Sequence, residues 1–383
     1  KTHEDMVAAA HELVPLIREV ARRAELARTP DDRVIQAAKD LGLFTMMSPR
    51  CYGGSELDLD TFFEVGLVLG EADASHGWII DFYIEHVWMF TQFPESFQRE
   101  VFADRAYVLA PAMLSPSGKA KEVEGGFELN GRWQWATGIM HADWVIAGAI
   151  VQRAAGLDAL FIALPRDQVT VEDTWHIDGM CATGSNDVLI GSTFVPGDRA
   201  VSIREMLNAN APGSAIHAGP LYSTPMAPIL SFAAALPALG QAKACVAEYG
   251  RQLQTRYNLA TLELQSNRAS RQARLAKADL TVAAAEALAR SVLADVLARR
   301  HNADEARRVR WTAAVAHVVE MCQEAVHLLC EAAGSSSHFL DNPLQRARRD
   351  VNTIACHTVF DNDERRRTLG RVLLGMPSES AWH

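Results

Sequence analysis

Four alanine-rich segments, Ile229–Leu259, Ser270–Arg300, Ala303–Ala333 and Leu344–Leu374, dominate the C-terminal part of the chain. Each is long enough for about eight helical turns, and the joints between them are short. Helices of that length with short connections pack as a four-helix bundle. Ser270–Arg300 and Ala303–Ala333 carry more apolar residues than one face uses, which predicts a second buried face.

The N-terminal part is helical too. Ala8, Leu13, Ile17, Val20 and Ala21 recur near a 3.6-residue spacing, and Arg28-Thr29-Pro30-Asp31 interrupts the stripe. Asp31 or Asp32 suits the cap of a second helix running to Leu43. Tyr52-Gly53-Gly54 reads as a turn, Leu59 to Phe90 as a long buried helix in one or two pieces, and Pro94-Glu95-Ser96 as the start of a short helix. From Ala106 to Asn210 the texture changes. Gly125-Gly126 separates two strand-like runs, Asn130-Gly131 is a strong hairpin signal, and Trp144–Val151 and Leu157–Leu164 flank a further turn. Turn signals about every ten residues predict an antiparallel barrel or sandwich. The expected fold is therefore mainly α with a central β domain: residues 1–105 helical, 106–212 β, 213–383 the bundle.

Composition narrows the function. Of 383 residues, 37 are basic and 47 acidic, a net charge of −10 that argues against nucleic acid as the main partner. Apolar runs are short and interrupted beside the ~20 residues that span a bilayer, so no membrane partner is expected. The opening Lys1-Thr2-His3-Glu4-Asp5 lacks the pattern of a secretory leader, and a cytoplasmic enzyme is expected. The six cysteines form no CxxC pair and have no histidine at zinc spacing, so they read as reduced thiols with no metal site. No GxGxxG or P-loop occurs, so any nicotinamide chemistry belongs to another protein.

Local motifs carry a resemblance. Trp133-Gln134-Trp135-Ala136-Thr137-Gly138-Ile139 with His141-Ala142-Asp143-Trp144, and Trp175-His176-Ile177-Asp178-Gly179-Met180 with Thr183-Gly184-Ser185-Asn186-Asp187, resemble the flavin-facing β segments of the acyl-CoA dehydrogenase fold. Asn342-Pro343-Leu344-Gln345-Arg346, with Arg349-Asp350 and His357, resembles one branch of it, the oxygenase components of two-component flavin-dependent monooxygenases. The dehydrogenase machinery is replaced. Phe360-Asp361-Asn362 stands where dehydrogenases carry their catalytic glutamate, and Ala333-Gly334-Ser335-Ser336-Ser337-His338 replaces their glycine-rich segment for the adenine half of FAD. Ala110-Pro111-Ala112-Met113 stands where the branch often places serines beside the flavin.

The resemblance also assigns residues. His86, alone among aromatics, reads as a core histidine; in the branch a histidine here faces the flavin. His357 follows Asp350 and Ile354 on one helical face with Asp361 next, so Asp361 would orient an imidazole acting as catalytic base or hydrogen-bonding partner to substrate. Trp135 and Thr137 would contact the flavin ring, with Thr183 and Ser335 as further cofactor residues. Arg256 and Gln272 resemble the pair that holds flavin phosphate, in the dehydrogenases across a subunit boundary. Phe82 and Trp88 would line the substrate pocket, and His141 is structural.

The function implied is an oxygenase taking reduced FMN, rather than FAD, from a separate NAD(P)H-dependent flavin reductase. With O2 it would hydroxylate a small phenolic or indolic substrate through a flavin C4a-hydroperoxide, as a homotetramer. The alternatives are an FAD-dependent acyl-CoA dehydrogenase using Asp361, or an N- or S-oxygenating monooxygenase of the same fold.

Overall fold

The computed structural model describes residues 1–153, 156–258, 261–380 and 382. Caps read from the sequence open its first helices. Thr2 and Asp5 form a reciprocal capping box on α1 (His3–Ala27), and Asp31 caps α2 (Asp32–Asp40). The apolar stretch that follows is two helices, α3 (Leu59–Ala72) and α4 (Ala74–Phe90). Asp73 divides them: its extended backbone ends α3, and its carboxylate accepts the His76 N–H that starts α4. Every residue of α4 is buried, which makes it the central strut of the N-terminal region. A short α5 (Glu95–Val101) leads to the sheet.

The seven strands are β1 (Ala112–Val123), β2 (Gly126–Trp133), β3 (Trp144–Arg153), β4 (Gly156–Pro165), β5 (Thr170–Glu172), β6 (Asp187–Pro196) and β7 (Ala200–Ser202). They form one sheet in the order β5-β6-β2-β1-β3-β4-β7. It is not wholly antiparallel as expected, because β1 pairs parallel to β3. The β1–β2 hairpin closes beside Gly125 at φ +81, whereas Asn130-Gly131 lies inside β2. There the register to β6 shifts between Leu129 and Gly131, so the Asn-Gly pair makes a bulge rather than a turn.

After α6 (Ile203–Leu207) come α7 (Met226–Thr255), α8 (Ala269–Arg299) and α9 (Glu305–Ala333). The expected end of the first bundle helix at Leu259 lies outside the described residues. The fourth segment is broken into α10 (Pro343–Ala355) and α11 (Asn362–Leu373), with a 3-10 turn over Thr358–Phe360 between them. Contrary to the reading of short apolar runs, α7 and α9 are each long and apolar enough to cross a membrane, yet 83% of the relevant stretch of α7 is buried inside the protein. α7 packs close on α3: a Cβ at Gly240 would lie 2.3 Å from the Glu71 nitrogen, so only glycine permits the approach.

Candidate active site

A cavity of about 320 Å3 opens where α4, the start of β1, two β-domain loops, α7 and the end of α10 meet. α4 supplies Trp78, Phe82 and His86, one helical turn apart and so on one face. His357 closes that wall from the opposite side. Its ring centre lies 5.4 Å from Trp78, edge-on, and 6.5 Å from Phe82, while His86 lies 5.4 Å from Phe82. Two imidazoles 271 residues apart in the chain thus flank one aromatic platform.

Both imidazoles are neutral at physiological pH. Burial pushes His86 down to about 4, against the favourable effect of its hydrogen bond to Ala110, and burial alone pushes His357 down to about 4. Their tautomers differ. A carbonyl only accepts, so His86 Nδ1–H donates to Ala110 O at 2.6 Å and Nε2 keeps its lone pair. His357 Nδ1 accepts the Val359 N–H at 3.4 Å, so its proton resides on Nε2. Of the two roles expected for His357, base or hydrogen-bonding partner, this ring suits the second: it is hard to protonate, and it offers a donor. Glu85 Oε2 sits 3.1 Å from His86 Nε2, and burial pushes this carboxyl up to about 8.

The facing wall carries hydroxyls. Thr137 Oγ1 lies 3.0 Å from Ser185 Oγ, which lies 2.7 Å from Thr183 Oγ1, which donates to Met180 O at 2.9 Å. Beside this ridge Trp135 has φ +67, a left-handed conformation, and its side chain is 60% exposed. Tyr83 Oη ties the adjoining loop to α4 by donating to Gly138 O. Thr183 donates to Met180 O, Ser185 to Thr183 and Thr137 to Ser185, so the ridge offers acceptor lone pairs; with an apolar wall and an exposed indole it fits a flat heterocycle with an N–H edge, as the reduced isoalloxazine ring has. Among the described residues no Asp, Glu, Lys or Arg lines the cavity.

The remaining sequence assignments separate. Phe82 lines the cavity; Trp88 does not, since it is fully buried in the core with Nε1 donating to Leu221 O. Asp361 does not orient His357. The helix ends before His357, so the i+4 relation is lost, and Asp361 caps α11 by accepting the Glu364 N–H at 3.0 Å. Arg256 and Gln272 lie away from the cavity: Arg256 donates to Ser336 Oγ, beside Ser335, and Gln272 to Ser266 O at 2.8 Å. His141 Nε2 lies 2.7 Å from Asp32 Oδ1, bridging β domain and α2.

Two residues escaped the sequence reading. Ser185 joins Thr137 to Thr183, and its place in the quoted Thr-Gly-Ser-Asn-Asp motif was the available signal. Arg365, the first of three successive arginines, is 8% exposed and donates to Val359 O at 2.9 Å and Trp382 O at 2.6 Å. It braces the turn that presents His357, and nothing in a run of three arginines signals that.

Comparison with known proteins agrees with this architecture. Residues 232–362 match the family model described as acyl-CoA dehydrogenase, C-terminal domain. A "Pigment production hydroxylase" of Rhodococcus sp. (strain ATCC 21145) is 30% identical over 98% of each chain. The "FADH(2)-dependent resorcinol hydroxylase, oxygenase component" of Rhizobium sp. (strain MTP-10005) is 28% identical over 98% of this chain and 95% of its own. Among solved structures, "XiaF from Streptomyces sp. in complex with FADH2 and Glycerol" superposes with a TM-score of 0.91, at 28% identity over 99% and 97% of the two chains. An aromatic and imidazole wall facing a hydroxyl ridge, carried on this fold, thus places the chain among the oxygenase components of two-component flavin-dependent monooxygenases, within the acyl-CoA dehydrogenase fold.

Proposed function

We propose that the enzyme hydroxylates a small, uncharged phenolic or indolic ring, using reduced FMN supplied by a separate reductase. The observation that carries the reading is the cavity itself, where two neutral imidazoles flank an aromatic wall and, among the described residues, no lining side chain bears a charge to pair with an ionised substituent. Bound reduced flavin, with O2, supplies an electrophilic oxygen; Trp135, Thr137, Thr183 and Ser185 are the residues that would hold its ring. The chain's own residues do the rest. Trp78 and Phe82 orient the substrate ring and exclude water, which protects a reactive oxygen donor from wasteful decay. A phenol enters neutral, and His357 Nε2–H holds its oxygen, so that the ring can release its proton to solvent and keep its electron-rich form. His86 completes the wall beside Phe82, its ring fixed between Ala110 O and Glu85.

FMN is favoured over FAD because Ala333–His338 replaces the glycine-rich adenine segment, and two of its three serine hydroxyls are engaged: Ser336 with Arg256, Ser337 with Cys330 O and Gly334 O. Two relatives are named for FADH2, so FADH2 is the competing titrant. A homotetramer accounts for exposed Leu280 on α8 and for Phe339, Leu340, Leu373 and Leu374 around the last two helices. The test is stopped-flow oxidation of protein-bound reduced flavin with phenols, indoles, amines, thioethers and carboxylated phenols. Coupled hydroxylation of neutral phenols or indoles is the expected result. Oxygenation of amines or thioethers alone, or preference for the carboxylated phenols, overturns it.

A further inference from the structure

The segment from Asp178 to Ser185 carries two of the three ridge hydroxyls and yet has no regular structure beyond one 3-10 turn over Cys181–Thr183. Its backbone is strained: Met180 has φ +55, a conformation that a residue with a side chain adopts only when held. The holding comes from α10. Met180 N–H donates to Asp350 Oδ1 at 2.6 Å, and Arg349 Nη1 donates to Asp178 O. Gly179 is pressed on the same helix, for a Cβ there would lie 2.2 Å from Arg349 O and 2.4 Å from Thr353 Oγ1. Met180 O then organises the wall, accepting Thr183 Oγ1 at 2.9 Å and Trp175 Nε1 at 3.1 Å.

We infer that Asp350 is a positioning residue, whose grip on Met180 sets the hydroxyl ridge relative to His357, carried just beyond the end of the same helix. The inference rests on reading the ridge as the flavin's. Asp350 is 3% exposed and lines no part of the cavity, so it acts through Met180. Burial, reinforced by neighbouring Asp73, pushes its carboxyl up to about 7. An amide at this position is therefore a close electrostatic substitute that still accepts the N–H.

The test compares Asp350→Asn, Asp350→Ala and Gly179→Ala in the full chain. Hydrogen–deuterium exchange of the Met180 amide is read without flavin, and the Kd for reduced FMN by anaerobic titration below each variant's melting temperature. Asp350→Asn should stay within about threefold of wild type in both, because the acceptor survives. Asp350→Ala should lose protection at Met180 and bind roughly ten- to a hundredfold more weakly, the scale of a buried N–H left without its acceptor. Gly179→Ala should reproduce that pattern without touching Asp350. Folded Asp350→Ala with wild-type exchange or wild-type Kd overturns the inference, as does a lowered melting temperature with Kd unchanged. If Asp350→Ala does not fold, an unchanged Kd in Gly179→Ala overturns it. Should the wild type bind no reduced flavin, the functional reading fails, and the exchange measurement still decides the clamp.

Discussion

His357 is the residue whose replacement separates the possible chemistries. Burial holds its imidazole neutral at pH 7, and the Val359 N–H on Nδ1 leaves Nε2 as the protonated nitrogen. A phenol with a pKa of ~10 is only about 0.1% ionised at pH 7. If Nε2–H is what favours the ionised form in the cavity, His357→Ala leaves roughly one molecule in a thousand reactive. Product formation should fall about 10³-fold, inside the 10²–10⁴ range for a lost proton-handling group. Each unit of added pH should restore about tenfold, until the phenol's own ionisation is complete. His357→Gln should retain activity to within about tenfold, since its amide keeps an N–H donor at similar reach and has no basicity. Single turnovers of bound reduced flavin, with product and hydrogen peroxide quantified together, read all of this. If His357→Gln fails as badly as His357→Ala, the donor role is wrong and a base role returns. An unchanged product-to-peroxide ratio in both folded variants removes His357 from the mechanism.

Other consequences are as direct. His86→Ala should accelerate oxidation of bound reduced flavin in the absence of substrate, measured by stopped flow, because it opens the wall beside Phe82; an unchanged rate returns His86 to a packing role. Glu85 gains its proton on folding: an unfolded chain releases it through about 4.5, the folded protein only near 8, so native stability declines as pH rises between those values. Glu85→Gln should therefore gain on wild type by at most about 1.4 kcal/mol per pH unit in that window, read from denaturant midpoints at pH 5, 6.5 and 8, and a pH-independent difference would contradict it. The two depressed histidines act in the opposite sense, removing stability as pH falls from about 6.5 toward 4. Asp361→Ala should cost about 1 kcal/mol as a lost helix cap and leave the product-to-peroxide ratio intact; a rise in peroxide would restore Asp361 to the site.

Local signals in the sequence were reliable where local physics decides the outcome. Asp31, one of the two caps the sequence offered, opens a helix, and the Val/Ile-rich run at Trp144–Val151 is a strand. The failures share a cause in distant partners. Asn130-Gly131 has the chemistry of a turn, but β1 and β6 both pair across it and convert it into a bulge. The parallel β1–β3 pairing depends on where the chain returns after its 3-10 turns and loops, which no periodicity records. Trp88 and Phe82 lie on one helix among equally apolar neighbours, and only the packing of Leu221 against one face tells which of them borders the cavity.

The break in the last bundle segment shows how one such tertiary contact shapes the chemistry. Leu344–Leu374 has helical composition throughout, and a continuous helix would stack Asp361 one turn beyond His357 as an orienting acid. Instead the helix stops at Ala355, and Arg365 and Asp361 satisfy backbone groups that the break exposes: Arg365 donates to Val359 O, and Asp361 accepts from Glu364 N–H. With those groups satisfied, the turn can point Val359 N–H back at His357 Nδ1. The same interruption that denies His357 a carboxylate partner therefore sets its tautomer. A carboxylate on Nδ1 would require a proton there and leave Nε2 as a base; a backbone N–H requires a lone pair there and makes Nε2 a donor. In the proposed chemistry, a main-chain N–H two residues away decides whether this histidine removes a proton or holds an oxygen.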